Sequence, residues 1–184
     1  MDVTRDYIDV KMTRENLDDI PEYPWPAGYS TRWYRQGDED IWLRIQSLAD
    51  QYNKVTPGLF EEEFGTDAKA LSERQCYLYA DDKDAIGTAS AWFGNHGGQP
   101  LGRIHWVAIV PEHQGKGLAE PLLAAVCNRL KSLGHSKTYL TTQTCRISAI
   151  NLYAKFGFVP AIASDRDGEI WRELEKHIKY PLRF

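Results

Sequence analysis

The segment Val107-Ala108-Ile109-Val110-Pro111-Glu112-His113-Gln114-Gly115-Lys116-Gly117-Leu118-Ala119 constrains the fold more than any other part of the chain. It joins an apolar strand, a glycine-rich turn and the start of an amphipathic helix. Upstream, Arg103 to Val110 is apolar on both faces near its end, as a strand inside a sheet should be. Downstream, Leu118, Leu122, Val126 and Leu130 recur every four residues, with Ala119, Leu123 and Cys127 beside them. That spacing predicts a helix over 117–133, ended by Gly134. Pro121 falls near its first turn, where a missing N–H costs least.

The turn suits an anion. Its glycines let backbone approach a ligand, and the helix behind it presents free N–H groups and a positive dipole end. Three phosphate patterns compete for it. A Walker A loop needs Ser or Thr after the lysine, but Lys116 is followed by Gly117. The dinucleotide fingerprint GxGxxG or GxGxxA fits Gly115 and Gly117, then fails at Glu120. The pattern (Q/R)xxGx(G/A) is complete in Gln114-Gly115-Lys116-Gly117-Leu118-Ala119.

Further along, Ser148-Ala149-Ile150-Asn151-Leu152-Tyr153-Ala154-Lys155-Phe156-Gly157-Phe158-Val159-Pro160 reads as a short helix, a glycine stop and a strand. With these two segments in this order and at this spacing, the chain resembles the GNAT superfamily of acyl-CoA-dependent N-acetyltransferases. The resemblance follows element order over 29–162 and is specific over 105–160. It implies an α/β fold (α+β in some schemes), with a mixed, mostly antiparallel sheet of six to seven strands and helices on both faces. It also implies acetyl-CoA as co-substrate and an amine as acceptor, a small molecule or a peptide.

Residue by residue, the resemblance assigns the pantetheine-binding strand edge to Val107, Ala108 and Ile109, with the backbone N–H near Ile109 directed at the thioester oxygen. The turn Gln114, Gly115, Lys116, Gly117, Leu118 and Ala119 would wrap the pyrophosphate. Tyr153 would protonate the leaving thiolate, a task suited to a phenol that keeps its proton at pH 7. His105, four residues before Ile109 and so expected on the same face, is the candidate general base. Glu61, Glu62 and Glu63 are alternatives. Arg146 departs from the family pattern, which often carries Asn there to hold pantetheine; an arginine could reach a CoA phosphate instead. Cys145 invites an acetyl-cysteine intermediate, but direct transfer in a ternary complex is the superfamily's usual route.

The remaining chain reads more coarsely. Tyr7 to Met12 alternates like a short strand, and Pro21, Pro24 and Pro26 then suggest an extended connector. Residues 1–184 are read as one domain, with 1–27 an extension packed on it that covers a sheet edge or contacts a second subunit of a homodimer. Tyr29 to Arg35 reads as a strand. Asp38 can cap a helix bearing Ile41, Trp42, Ile45, Leu48 and Ala49 on one face. A helix from Thr56-Pro57 would set Phe60 and Phe64 together and stop at Gly65. Strands at 76–80 and 85–93 form a hairpin, with a loop at 95–100. Strands at 137–142 and 158–162 and a last helix at 167–177 complete the reading.

Composition excludes some function classes. Net charge is −4, against a protein living on nucleic-acid phosphates. Residues 1–100 hold 10 Lys and Arg against 19 Asp and Glu, whereas 101–184 hold 12 against 7. A basic half suits a phosphorylated ligand; an acidic half suits a cationic acceptor. The three cysteines form no CxxC, and the five scattered histidines form no HExxH, so no metal is expected. No apolar run would span a bilayer, and the first residues lack a signal-peptide pattern, so the expected location is the cytoplasm. Two rival readings stay open: a non-catalytic acyl-CoA-binding module or sensor, and a nucleotide binder using Gly115 to Gly117.

Overall fold

A computed structural model describes residues 2–184; Met1, the first residue of the expected extension, lies outside the described residues. The elements are β1 (Asp9–Arg14), β2 (Tyr29–Trp33), α1 (Glu39–Ala49), α2 (Leu59–Phe64), α3 (Ala68–Arg74), β3 (Gln75–Ala80), β4 (Asp84–His96) and β5 (Gln99–Ile109). After a 3-10 turn at Pro111–His113 come α4 (Ala119–Ser132), β6 (Thr138–Gln143), α5 (Ile147–Lys155), β7 (Val159–Pro160) and α6 (Asp165–Glu175). The seven strands form one sheet in the order β2-β3-β4-β5-β6-β1-β7. All neighbours are antiparallel except β5 and β6.

Helices cover both faces. Phe64 of α2 packs on Trp92 and His105, with ring centroids at 5.1 and 5.5 Å. On the opposite face, a Cβ at Gly102 would lie 3.0 Å from Leu130 of α4. The stripe that predicted α4 is its buried side: Leu122, Leu123, Val126, Cys127 and Leu130 are all fully buried. Each large aliphatic of this kind contributes about 1.5–3 kcal/mol when removed from water. Gly134, with φ +84°, ends that helix where a side chain would be strained.

The expected N-terminal extension is woven into the sheet. β1 pairs with β6 along its whole length and with β7 at Met12 and Thr13, so residues 9–14 form an inner strand rather than an edge cover. The alternation seen in the sequence is the reason: Val10 and Met12 bury themselves while Asp9 and Lys11 stay exposed. Arg14 then fastens the strand end, donating to the carbonyls of Asn16, Asp19 and Phe156. The last lies at the C-terminus of α5, where a cation also meets the negative end of the helix.

Local expectations shift in three places. Asp38 precedes α1 but caps nothing with its side chain. Its buried carboxylate takes the Arg32 guanidinium at 2.6 and 2.8 Å and the Arg35 N–H at 2.7 Å. Leu48, expected on the apolar face, is exposed. The expected 95–100 loop is a tight hairpin end, with His96 paired to Gln99 across Gly97 and Gly98, both at positive φ.

Candidate active site

β5 is sewn to both neighbours only at its beginning. Its ladder to β6 consists of Gly102 with Thr138 and Arg103 with Tyr139. Beyond Arg103 the two parallel strands diverge, and a cleft of about 380 Å³ opens between them. Ile104 to Ile109 form one wall and Thr141 to Gln143 the other, and Gln46, Asp50, Arg146, Ala149 and Tyr153 are among the residues that line the rest.

A bulge accompanies the divergence. Thr88 pairs with Ala108 and Ser90 with His105, so Ala89 of β4 faces both Trp106 and Val107. Trp106 takes a left-handed conformation with φ +49°, which costs a bulky residue about 1–2 kcal/mol. Surrounding contacts hold it there: Gln46 donates to the Trp106 carbonyl at 3.3 Å, and Trp42 packs edge-on against its ring at 5.2 Å. The bulge corrects the expectation that His105 and Ile109 share a face. They pair with Ser90 and Gly87, whose odd separation on β4 puts them on opposite faces.

Backbone alternation assigns the free donors. Val110 gives its N–H to Ile86 of β4 at 2.8 Å. Ile109, its neighbour, therefore turns its own N–H and C=O toward the open seam. Gln114 reaches back and donates to that carbonyl at 2.8 Å, leaving the N–H of Ile109 as the available group. Gln114 is thus a brace between strand and turn as well as a turn residue.

The turn is open above its backbone. Gly115 and Gly117 have φ of +73° and +72°, and a Cβ on either would meet nothing within 4 Å. The first residues of α4 have no side-chain cap. Open space, permissive backbone and uncapped helical N–H groups fit a pyrophosphate. Lys116 is exposed there, with no hydrogen bond or ion pair among the described residues, while Leu118 packs into the core and Ala119 begins the helix.

The expected acid and base both line the cleft. Burial pushes the Tyr153 phenol up to about 12, so it keeps its proton throughout the neutral range. His105 is buried, and its Nε2 lies 2.8 Å from Glu63 Oε2. Burial lowers the imidazole from its ordinary value despite the opposing pull of Glu63. Glu63, held by that hydrogen bond, is ionised down to about 2. At neutral pH the pair is a neutral imidazole donating Nε2–H to a carboxylate, with Nδ1 as the basic nitrogen. Of the acidic triplet, Glu63 alone turns inward; Glu61 and Glu62 are exposed. Its helical spacing from Phe60, with Phe64 alongside, was the available signal.

Arg146 lines the cleft, yet it is committed elsewhere. Its Nη2 lies 2.9 Å from both carboxylate oxygens of Asp50, which also accepts the N–H groups of Tyr52 and Asn53. Cys145 is not among the cleft-lining residues. No group of three or more His, Cys, Asp or Glu side chains among the described residues could hold a metal ion, and no helix is long and apolar enough to cross a membrane.

Comparison with known proteins agrees with this architecture. Residues 42–158 match the model of the Acetyltransferase (GNAT) family. A mycothiol acetyltransferase of Kocuria rhizophila is 30% identical over 167 residues, covering 84% of this chain and 54% of the relative. The chain spans about half the length of the curated relatives it matches. A GCN5-related N-acetyltransferase from Sphaerobacter thermophilus superposes with a TM-score of 0.67 at 22% identity, over 83% of this chain and 48% of that one. An aminoglycoside N-acetyltransferase solved in complex with CoA gives 0.58 at 18% identity, over 78% and 95%. The splayed strands, the glycine turn and the family match lead to one conclusion: this chain belongs to the GNAT acetyltransferase family.

Proposed function

We propose that the protein transfers an acetyl group from acetyl-CoA directly to a primary amine, with both substrates in the cleft together. The observation that carries this reading is the open β5–β6 seam, with the unpaired Ile109 N–H, Tyr153 and the His105–Glu63 pair around one cavity. Acetyl-CoA, when bound, supplies the activated acyl group. Val107 to Ile109 offer backbone groups to its pantetheine arm. Gly115, Gly117 and the α4 N-terminus receive the pyrophosphate, and Lys116 is the free cation beside them. Arg146, tied to Asp50, serves as cleft wall rather than phosphate ligand.

His105 Nδ1 takes the proton that the attacking amine must lose, while Glu63 fixes the ring and its tautomer. The Ile109 N–H donates to the carbonyl oxygen as negative charge builds there, a role preorganised by the Gln114 brace. Tyr153 donates to the departing sulfur. With the buried phenol near 12 and a free thiol near 8.5, full transfer to a solvated thiolate is uphill. Burial of the thiolate in the same cleft narrows that gap, because it too loses solvation.

The test is CoA thiol release from acetyl-CoA with polyamines, aminoglycosides, arylalkylamines, amino acids and lysine peptides. Release with one amine class supports the reading. Thermal stabilisation by acetyl-CoA without release from any amine would favour a binding module. Stabilisation by ATP or NAD and not by acetyl-CoA would overturn the assignment of the turn.

A further inference from the structure

Among the described residues, one cation of the cleft makes no ion pair, although its charge is felt by Glu63 and His105. The carboxylates of the cleft are all engaged: Asp9 accepts from Gln143 at 2.8 Å, Asp50 holds Arg146, and Glu63 holds His105. Arg103 also lines the cleft, but it makes no hydrogen bond or ion pair among the described residues. Its Nε is buried and unpartnered. Tyr139 packs beside it, its ring centre 5.8 Å from the guanidinium carbon. Gly94 makes the room for this arrangement. A Cβ there would collide with the Tyr139 hydroxyl and come within 3.7 Å of Arg103 Cδ.

Arg103 stands two residues before His105, ahead of the bulge, so both side chains leave the same face of β5. Their Cα atoms are about 6–7 Å apart along the strand. Arg103 thus reaches the neighbourhood of the nitrogen that would deprotonate an amine. A planar guanidinium with its fork free is built to take two oxygens of an anion.

We infer that Arg103 recognises an anionic group, a carboxylate or a phosphate, carried by the acceptor within a few bonds of its reactive amine. The inference rests on the amine-acetylating reading above. It revises the expectation of a simply cationic acceptor: the first-half carboxylates that line the cleft, Asp9, Asp50 and Glu63, are already engaged there.

The experiment compares matched amines by CoA thiol release: glycine and β-alanine against their amides, and O-phosphoethanolamine against ethanolamine. The wild type is expected to favour the anionic member of at least one pair by about tenfold or more in kcat/KM, mainly through KM. The carboxylate and phosphate pairs separate the two sources of charge. Arg103→Gln should bring that ratio close to one, and Arg103→Lys should keep part of it, since it retains the charge and loses the fork. Thermal melting of both variants checks that the fold survives. Equal or reversed preference in the wild type overturns the inference, as does an unchanged ratio in Arg103→Gln. Release restricted to amines without an anion overturns it too, while leaving the transferase reading standing. Failure of every amine in the wider panel overturns that underlying reading instead.

Discussion

The two sides of β6 are built on opposite plans. Toward β1 every residue of β6, Thr138 through Gln143, has a partner. Toward β5 pairing stops after Tyr139. One seam is closed and antiparallel; the other is parallel and opens into the cleft. The difference shows how a sheet holds a cavity without losing its integrity. A strand that gives up hydrogen bonds on one edge needs a firm neighbour on the other, and β1 supplies it. Where the seam is open, Gln46, Gln114 and the bulge at Trp106 brace the backbone in place of a partner strand.

Breaking the closed seam should have the largest effect. Removing residues 2–14 strips β6 of its full ladder and takes the buried Val10 and Met12 out of the core. The truncated chain is expected to lose its cooperative thermal transition by circular dichroism. A sharp transition near the full-length melting temperature would show that β1 is dispensable.

On the open side, Tyr153→Phe should lower kcat at least about tenfold, the scale of a lost proton donor. Acetyl-CoA should still raise the melting temperature, because the turn and strand edge are untouched. An undiminished kcat would remove Tyr153 from the chemistry. A smaller change is expected from Gly117→Val, which forces a β-branched residue into φ +72° with no clash. The strain, about 1–2 kcal/mol, should raise KM for acetyl-CoA by about tenfold while the melting temperature falls by a few degrees. An unaltered KM would mean that the turn does not follow the cofactor.

The finest adjustment concerns the His105–Glu63 pair. Protonation of His105 should switch off the rate on the acidic side, with a midpoint below 6.5 because burial depresses the imidazole. Glu63→Gln removes the group that pulls it upward, so the midpoint in kcat/KM should move to still lower pH. A midpoint that stays put would separate Glu63 from the base. Stability has the same sign for both groups. Each has a folded pKa below its unfolded one, so its contribution is present at higher pH and declines on acidification: below about 6.5 for His105, and from about 4.5 toward 2 for Glu63.

Legibility followed sequence distance. The glycine turn and the Leu118–Leu130 stripe are local patterns, and both were readable without a partner in view. β1 was half readable: the alternation of Tyr7 to Met12 suggested a strand, but its place depends on a distant pairing. The bulge at Trp106 was invisible, since a bulge exists only relative to the register of β4. α3 was missed although Asp67 caps it, its carboxylate accepting the N–H groups of Lys69 and Ala70. An acidic residue before Ala-Lys-Ala-Leu was a usable start signal. His105 was named from its strand spacing, its ordinary pKa and the family resemblance, and Glu63 only within a triplet. The Asp50–Arg146 pair joins residues 96 apart, beyond the reach of spacing arguments.

The inner position of β1 also bears on how the chain reaches this state. The Asp9–Gln143 contact spans 134 residues, so the sheet cannot close until nearly the whole sequence has been gathered. Loop-closure entropy must be met before that ladder returns any energy, and long-range pairing of this kind is slow. Until it forms, β6 carries an unprotected edge on each side of its later half, and that interval is when self-association competes most strongly with folding.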